Sequence, residues 1–289
     1  MVSGGITSSH AQNSPVIADG VVLNLIGAGY KFTEGPASDG QGNVYFTDQP
    51  NNRILKWSHD VNEVSVFLEN AGRSNGLYFD QNGNLLACAD ENSELWKIDM
   101  LGNVEILVKA YKGKRLNGPN DLWAHPGGGI YFTDPFYKRE YWEHREKEIE
   151  VEGVYYLDPE SEMLTRLIED LKKPNGIIGT PDGKTLYVAD IGNDVTWSYL
   201  IGEDGGLSQK TLFTTMGSDG MTIDEQGNIY LTGNGVTVFN KNGKKIEHIP
   251  VDRDWTANVT FGGKDNKTLF ITAMNSVFTL KMKVAGARR

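Results

Sequence analysis

The feature that most constrains this chain is a recurrence. The stretch from Arg115 to Asp134 (RLNGPNDLWAHPGGGIYFTD) joins a polar triplet, a short apolar run, a Gly-rich turn and a second run that closes on an Asp. Six copies of that plan follow one another. Their opening triplets are Glu34-Gly35-Pro36, Ser74-Asn75-Gly76, Pro119-Asn120-Asp121, Pro174-Asn175-Gly176, Ser218-Asp219-Gly220 and Ala257-Asn258-Val259. Their second runs include VYFTD ending at Asp48, LLACAD at Asp90, IYFTD at Asp134 and LYVAD at Asp190. From the polar residue of each triplet to Tyr45, Leu86, Tyr131, Tyr187, Tyr230 or Phe270 the count is 11 or 12 residues every time.

A repeat of this length built of short alternating runs cannot bury its apolar faces alone and must stack on its neighbours, as a propeller blade does. The DG, GN and NG steps between runs supply the positive φ that tight hairpins need. The expected fold is therefore all-β, a six-bladed propeller of four-stranded antiparallel blades. Five repeats carry four strands and the sixth only three, ending in SVFTLKM before a basic tail. An unmatched strand expected over Val16 to Ile26 is available to complete the sixth blade, which would remove the open edges of the ring. The expected organisation is a disordered tail over 1–15, one domain over 16–284 and a short tail over 285–289.

A formal charge of −10 argues against nucleic acid and anionic membranes as partners. No apolar run is long enough to span a bilayer. The single cysteine, Cys88, falls in a strand of the second repeat and reads as a buried structural thiol. The Ser-His-Ala-Gln step around Ala11 reads as the remnant of a leader cleavage site, which favours a periplasmic or secreted location over a cytoplasmic one.

The first strand of a propeller blade lines the central channel, so the triplets aim Glu34, Asn75, Asn120, Asn175, Asp219 and Asn258 at one axis. Turn duty explains Asn in such positions. It does not explain Glu34. Two carboxylates among amide carbonyls in a narrow channel call for a cation. With no His or Cys in any triplet the cation should be hard, Ca2+ first, then Mg2+ or Mn2+, with Zn2+ less natural. Asp48, Asp90, Asp134 and Asp190 recur too regularly to be catalysts and read as hydrogen-bond acceptors at strand ends. No Ser stands on a nucleophile elbow and no His lies near the axis, so a triad lacks support.

The distance between equivalent aromatics is 40 to 45 residues except between Tyr131 and Tyr187, where it is 56. The excess lies in 135–153, a charged segment that also carries Phe136, Tyr137, Tyr141 and Trp142. It reads either as a solvated loop or as a lid, and its start directly after Asp134, on the triplet face, favours the lid. Gln49, Glu91 and Ile191 would form the rest of the rim.

The triplets EGP, PND, PNG and SDG, each followed by a GN-type hairpin and a YFTD or YVAD strand, resemble the gluconolactonase and senescence-marker-protein (regucalcin) family of six-bladed propellers, from Phe32 to Lys281. The resemblance implies a divalent metal held by Glu34, Asn120, Asn175 and Asp219, with Asn75 beside a small lactone substrate; Asn120 is also expected to offer its amide to the substrate, and the placement of the insertion sets Phe136, Tyr137 and Trp142 over it. It also implies lactone hydrolysis, with Asp219 orienting or deprotonating the attacking water and Glu34 supplying fixed charge. The diisopropylfluorophosphatases share the Glu, Asn, Asn, Asp set, so a phosphotriesterase-like hydrolase and a non-enzymatic binding propeller are the alternatives. Two positions depart from the pattern. Animal sugar-lactone members carry an Arg where this chain has Gly118, and fluorophosphatase-type members use a His from the last repeat, whereas none follows His248 here. The expected assembly is a monomer or weak homodimer.

Overall fold

The computed structural model describes residues 13–287. The expected leader remnant around Ala11 lies outside those residues. Among them, 24 strands form six four-stranded antiparallel sheets, the six blades of a propeller. The first strands of blades 1 to 6 are Thr33–Ser38, Ser74–Phe79, Leu122–Ala124, Pro174–Gly179, Met221–Ile223 and Asn258–Gly262.

The hairpins after these strands share one device. In DGQGN, DQNGN and DEQGN the leading Asp accepts backbone N–H groups two and four residues on, while the closing Asn donates its side-chain amide back to the same carboxylate. The Gly before that Asn takes positive φ, 90° at Gly42 and 80° at Gly83. The turn is therefore encoded locally, and it sets the register of the two inner strands.

The second strands VYFTD, IYFTD and IYLTG are buried along their whole length, as expected of a strand with a neighbouring blade on each face. Tyr45 packs edge-on against Phe79 of blade 2, and Phe46 and Trp57 pack on Phe270 of blade 6, so aromatics fill the wedges between blades. The Thr of the YFTD motif ties blades together. Thr47 donates to the carbonyl of Asn75 at 3.2 Å, Thr133 to that of Asn175 at 2.8 Å and Thr232 to that of Ala257 at 2.8 Å.

At the triplets the pairing of first and second strands slips, between Glu34 and Ala37, Ser74 and Leu77, and Pro174 and Ile177. Such bulges re-aim side chains. They also press the blades together at the axis. A Cβ on Gly76 would lie 2.6 Å from the Asn120 carbonyl, and one on Gly176 2.7 Å from that of Asp219. Glycine follows the polar residue because no other side chain fits between adjacent blades there.

The ring closes as expected, with an N-terminal strand completing blade 6 against Ser276–Lys281. The strand lies later than expected, at Asn24–Ala28, with only an isolated bridge from Ile17 to Met282 before it. The Asp19-Gly20 step interrupts it, Gly20 sitting at φ 70°. Residues 285–287 of the expected C-terminal tail lie along blade 5, with Ala287 N–H donating to the Ile223 carbonyl and Gly286 bridged to Asp224. Among the described residues no helix is long and apolar enough to cross a membrane. Cys88 is fully buried.

Candidate active site

Of the six expected side chains, Glu34, Asn175, Asp219 and Asn258 are brought within hydrogen-bond or electrostatic reach of one another. Glu34, Asn75, Asn120, Asn175 and Asn258 are buried, and Asp219 alone keeps partial exposure. Asp219 is clamped on both oxygens. Asn175 Nδ2 donates to Oδ1 at 2.8 Å, and Trp255 Nε1, from the loop between blades 5 and 6, donates to Oδ2 at 2.5 Å.

Because Asp219 only accepts, the amide nitrogen of Asn175 must face it, and the same nitrogen also meets Tyr137 Oη at 2.6 Å. Asn175 Oδ1 is left buried with no hydrogen-bond partner. A buried acceptor left unmade costs about 1–3 kcal/mol.

The electrostatics tell the same story. Burial, and next the charge of nearby Asp219, pushes the Glu34 carboxyl well above the usual carboxylate range, against the bond from Gly35 N–H at 2.8 Å. Burial pushes Asp219 up to about 6 although Trp255, Asn175 and Arg139 hold it down. A third carboxyl, Asp121, is pushed up to about 8 by burial, with Leu122 N–H and Asn258 opposing. Glu34 and Asp219 therefore stand close enough for the charge of one to oppose ionisation of the other. A cation there would answer both the repulsion and the orphaned Asn175 oxygen, so the donor set of two carboxylates and amide oxygens fits a hard divalent ion. Among the described residues no group of three or more His, Cys, Asp or Glu side chains is arranged to hold a metal, which sets this amide-rich set apart from a thiolate or imidazole site.

Three strand-end aspartates act as expected. Asp48, Asp134 and Asp190 accept backbone N–H groups, for example those of Asn117 and Gly118 at 2.9 and 2.7 Å on Asp134. Asp90 departs from them. It takes the side chains of Gln49 at 3.2 Å, Arg139 at 3.0 Å and Tyr141, while its carbonyl takes Trp142 Nε1 at 2.7 Å. Three of those four come from 135–153. The insertion is thus not a solvated loop but a cover fastened to blade 2.

Of its aromatics, Tyr137 touches a candidate ligand, Asn175. Phe136 and Trp142 lie against each other at 5.5 Å, and Trp142 is buried beside Gly118. A cavity of about 420 Å³ lined by Leu167, Tyr199, Leu207 and Lys210 lies at the outer strands of blades 3 and 4 and holds no part of this site.

Three residues of the site escape sequence reasoning. Asp121 stands inside the PND triplet, and its neighbour Asn120 draws the attention. Arg139 is one basic residue among many in a charged segment, and Trp255 sits in a loop with no period to align it.

A family model described as SMP-30/Gluconolactonase/LRE-like region matches residues 32–275. The chain belongs to this family. Within it, the chain is 29% identical over a 314-residue alignment to a gluconolactonase of Zymomonas mobilis, covering 98% of this chain and 87% of that protein. It is 27% identical over 267 residues to the lactonase drp35 of Staphylococcus saprophyticus, covering 83% and 76%. Among solved structures, a gluconolactonase of Xanthomonas campestris superposes with a TM-score of 0.85 at 30% identity over 92% of this chain and 91% of that one. A calcium-binding regucalcin of Agrobacterium tumefaciens shares the fold, with a TM-score of 0.78 at 19% identity over 92% and 95% of the two chains.

Proposed function

We propose that this propeller is a divalent-metal-dependent lactonase. The observation that carries the proposal is the Asn175 carboxamide, which donates to Asp219 and leaves its carbonyl oxygen buried with no partner, alongside a buried Glu34 whose ionisation Asp219 opposes. The lactonase relatives at 27–29% identity support the choice of reaction.

Glu34, Asn120, Asn175 and Asp219 would hold the ion, Ca2+ first among the candidates, and when bound it supplies Lewis-acid polarisation of the ester carbonyl. The chain's own residues do the rest. Asp219, clamped by Trp255 and Asn175, presents its carboxylate in a fixed direction to a water molecule. Burial raises its carboxyl above the usual carboxylate range, which makes it a better proton acceptor than an exposed aspartate. The water oxygen attacks the carbonyl carbon, its proton passing to Asp219. The ring C–O bond breaks, and that proton goes to the departing ring oxygen, giving the open hydroxy acid. Asn75 would stand beside the substrate, and Asn120 would both hold the ion and offer its amide N–H to a substrate oxygen. Tyr137, held against Asn175 by the fastened insertion, closes the mouth and excludes water from all but the attacking position.

The test is a pH-stat assay of glucono-δ-lactone and simple γ- and δ-lactones on metal-stripped protein, with Ca2+, Mg2+, Mn2+ or Zn2+ added back and an organophosphate run alongside. Metal-restored lactone turnover is expected. Full turnover in EDTA contradicts metal dependence, and turnover of the organophosphate alone contradicts the substrate class.

A further inference from the structure

The inference drawn here rests on the lactonase reading and deepens it. We propose that Arg139, carried by the blade 3 insertion, is the specificity-determining residue of the site, donating from its terminal amines to oxygen substituents on the lactone ring.

Arg139 is placed for this by its neighbours. Its Nε is used by Asp90 at 3.0 Å, and its side chain is 23% exposed. Among the described residues neither Nη1 nor Nη2 makes a hydrogen bond. Two nearby cations are engaged elsewhere. Arg73 donates to Glu91 and the Pro50 carbonyl, and Lys173 donates to the Phe136 carbonyl and faces Glu152. The Arg139 guanidinium lies 5.0 Å from the centre of the Tyr137 ring, and Tyr137 Oη lies 2.6 Å from Asn175 Nδ2. One phenol ring thus separates Arg139 from a candidate metal ligand.

Blade 3 itself cannot offer a side chain here. At Gly118, φ is 147° and a Cβ would meet Asp90 Oδ1 at 2.8 Å and the Trp142 ring at 2.9 Å. The carboxylate that blocks position 118 is the one that holds Arg139.

A guanidinium has only donors, set in a planar fork, so it reads acceptor oxygens. A ring bearing hydroxyl groups offers several beyond its ester, and an unsubstituted alkyl lactone offers none. The discrimination between the two then lives in the insertion.

The experiment compares kcat/KM for glucono-δ-lactone and δ-valerolactone, which share a six-membered ring, in wild type, Arg139→Gln, Arg139→Lys and Tyr141→Phe, with folding checked by thermal melts. Losing a charge-assisted hydrogen bond predicts a fall of about 10- to 100-fold on glucono-δ-lactone in Arg139→Gln, chiefly in KM, against less than about threefold on δ-valerolactone. Arg139→Lys keeps the charge without the fork and falls between. Tyr141→Phe loosens the Asp90 fastening without touching the guanidinium and scales both substrates alike. Equal losses on the two lactones in Arg139→Gln, or no loss, overturn the proposal and leave Arg139 a fastener. Should wild type hydrolyse neither lactone, the lactonase reading alone fails, and calorimetric titration with D-gluconate decides. Binding at least about tenfold weaker in Arg139→Gln upholds the recognition role, and equal binding overturns it.

Discussion

Asp90→Ala is the perturbation whose outcome the structure specifies most fully. Asp90 is buried and receives Gln49 Nε2, Arg139 Nε and Tyr141 Oη, the last two from 135–153. Alanine leaves three donors without their acceptor. Arg139 is 23% exposed and can turn partly to water, so the full cost of stranding a buried charge does not apply. The two charge-assisted bonds that reach the insertion, from Arg139 and Tyr141, discounted for that escape, come to roughly 2–4 kcal/mol. The loss falls on the insertion rather than on the blades, whose strands do not use this carboxylate. Local opening of the segment should therefore rise about 30- to 1000-fold while the propeller stays folded. Trypsin reads this directly, because Lys138, Arg139, Arg145 and Lys147 lie in the segment. When opening is fast compared with cleavage, the nicking rate follows the open population. Cuts confined to 138–147 and accelerated by that factor are expected, with an unchanged far-UV spectrum. Asp90→Asn, which keeps one acceptor and sheds a charge that burial disfavours, should be nicked far more slowly than Asp90→Ala. Equal nicking of wild type and Asp90→Ala would refute the fastening.

Other outcomes follow from particular contacts. Thr133→Val removes the hydroxyl that bonds the Asn175 carbonyl at 2.8 Å, and chemical denaturation should show a loss of about 1–3 kcal/mol. Cys88→Ser puts a hydroxyl at a fully buried position and should cost about 1–3 kcal/mol in the same assay, with kcat retained. Burial pushes Asp134 up to about 7, above its unfolded value, so the folded state holds this proton more tightly. Its contribution to stability is then fully present below the unfolded carboxylate range and is lost as pH rises towards 7. Relative to Asp134→Asn, wild type should lose roughly 1–3 kcal/mol between pH 5 and pH 7.5, and a constant difference would show that Asp134 is already ionised at pH 5. Saturating Ca2+ at about 100 times its dissociation constant should stabilise the protein by about 2.7 kcal/mol, which melts several degrees higher, and the gain should vanish in Glu34→Gln.

The fold was legible because its turns are local. Each Asp-x-x-Gly-Asn hairpin closes on its own side chains, so the recurrence could be read without knowing what packs against it. The inward residues were legible for a related reason, since a fixed count from triplet to aromatic keeps Glu34 and Asp219 in one register. What the sequence concealed depends on contacts between distant segments. Asp90 has the same letter and place as Asp134, yet its partners arrive from an insertion about 50 residues on, and nothing in LLACAD announces them. Trp255 fixes the direction of Asp219 across 36 residues from a loop outside the repeat. The N-terminal strand began late because the turn at Asp19-Gly20 splits an otherwise plausible alternating run.

The claim on which the account turns is that Glu34 and Asp219 jointly hold one divalent cation. Isothermal titration of metal-stripped protein with CaCl2, in wild type and in the Glu34→Gln, Asp219→Asn double variant, measures it directly. The account predicts one ion bound per chain in wild type and no measurable heat in the variant. Binding of equal affinity in both, or none in wild type with any of Ca2+, Mg2+, Mn2+ and Zn2+, would contradict it.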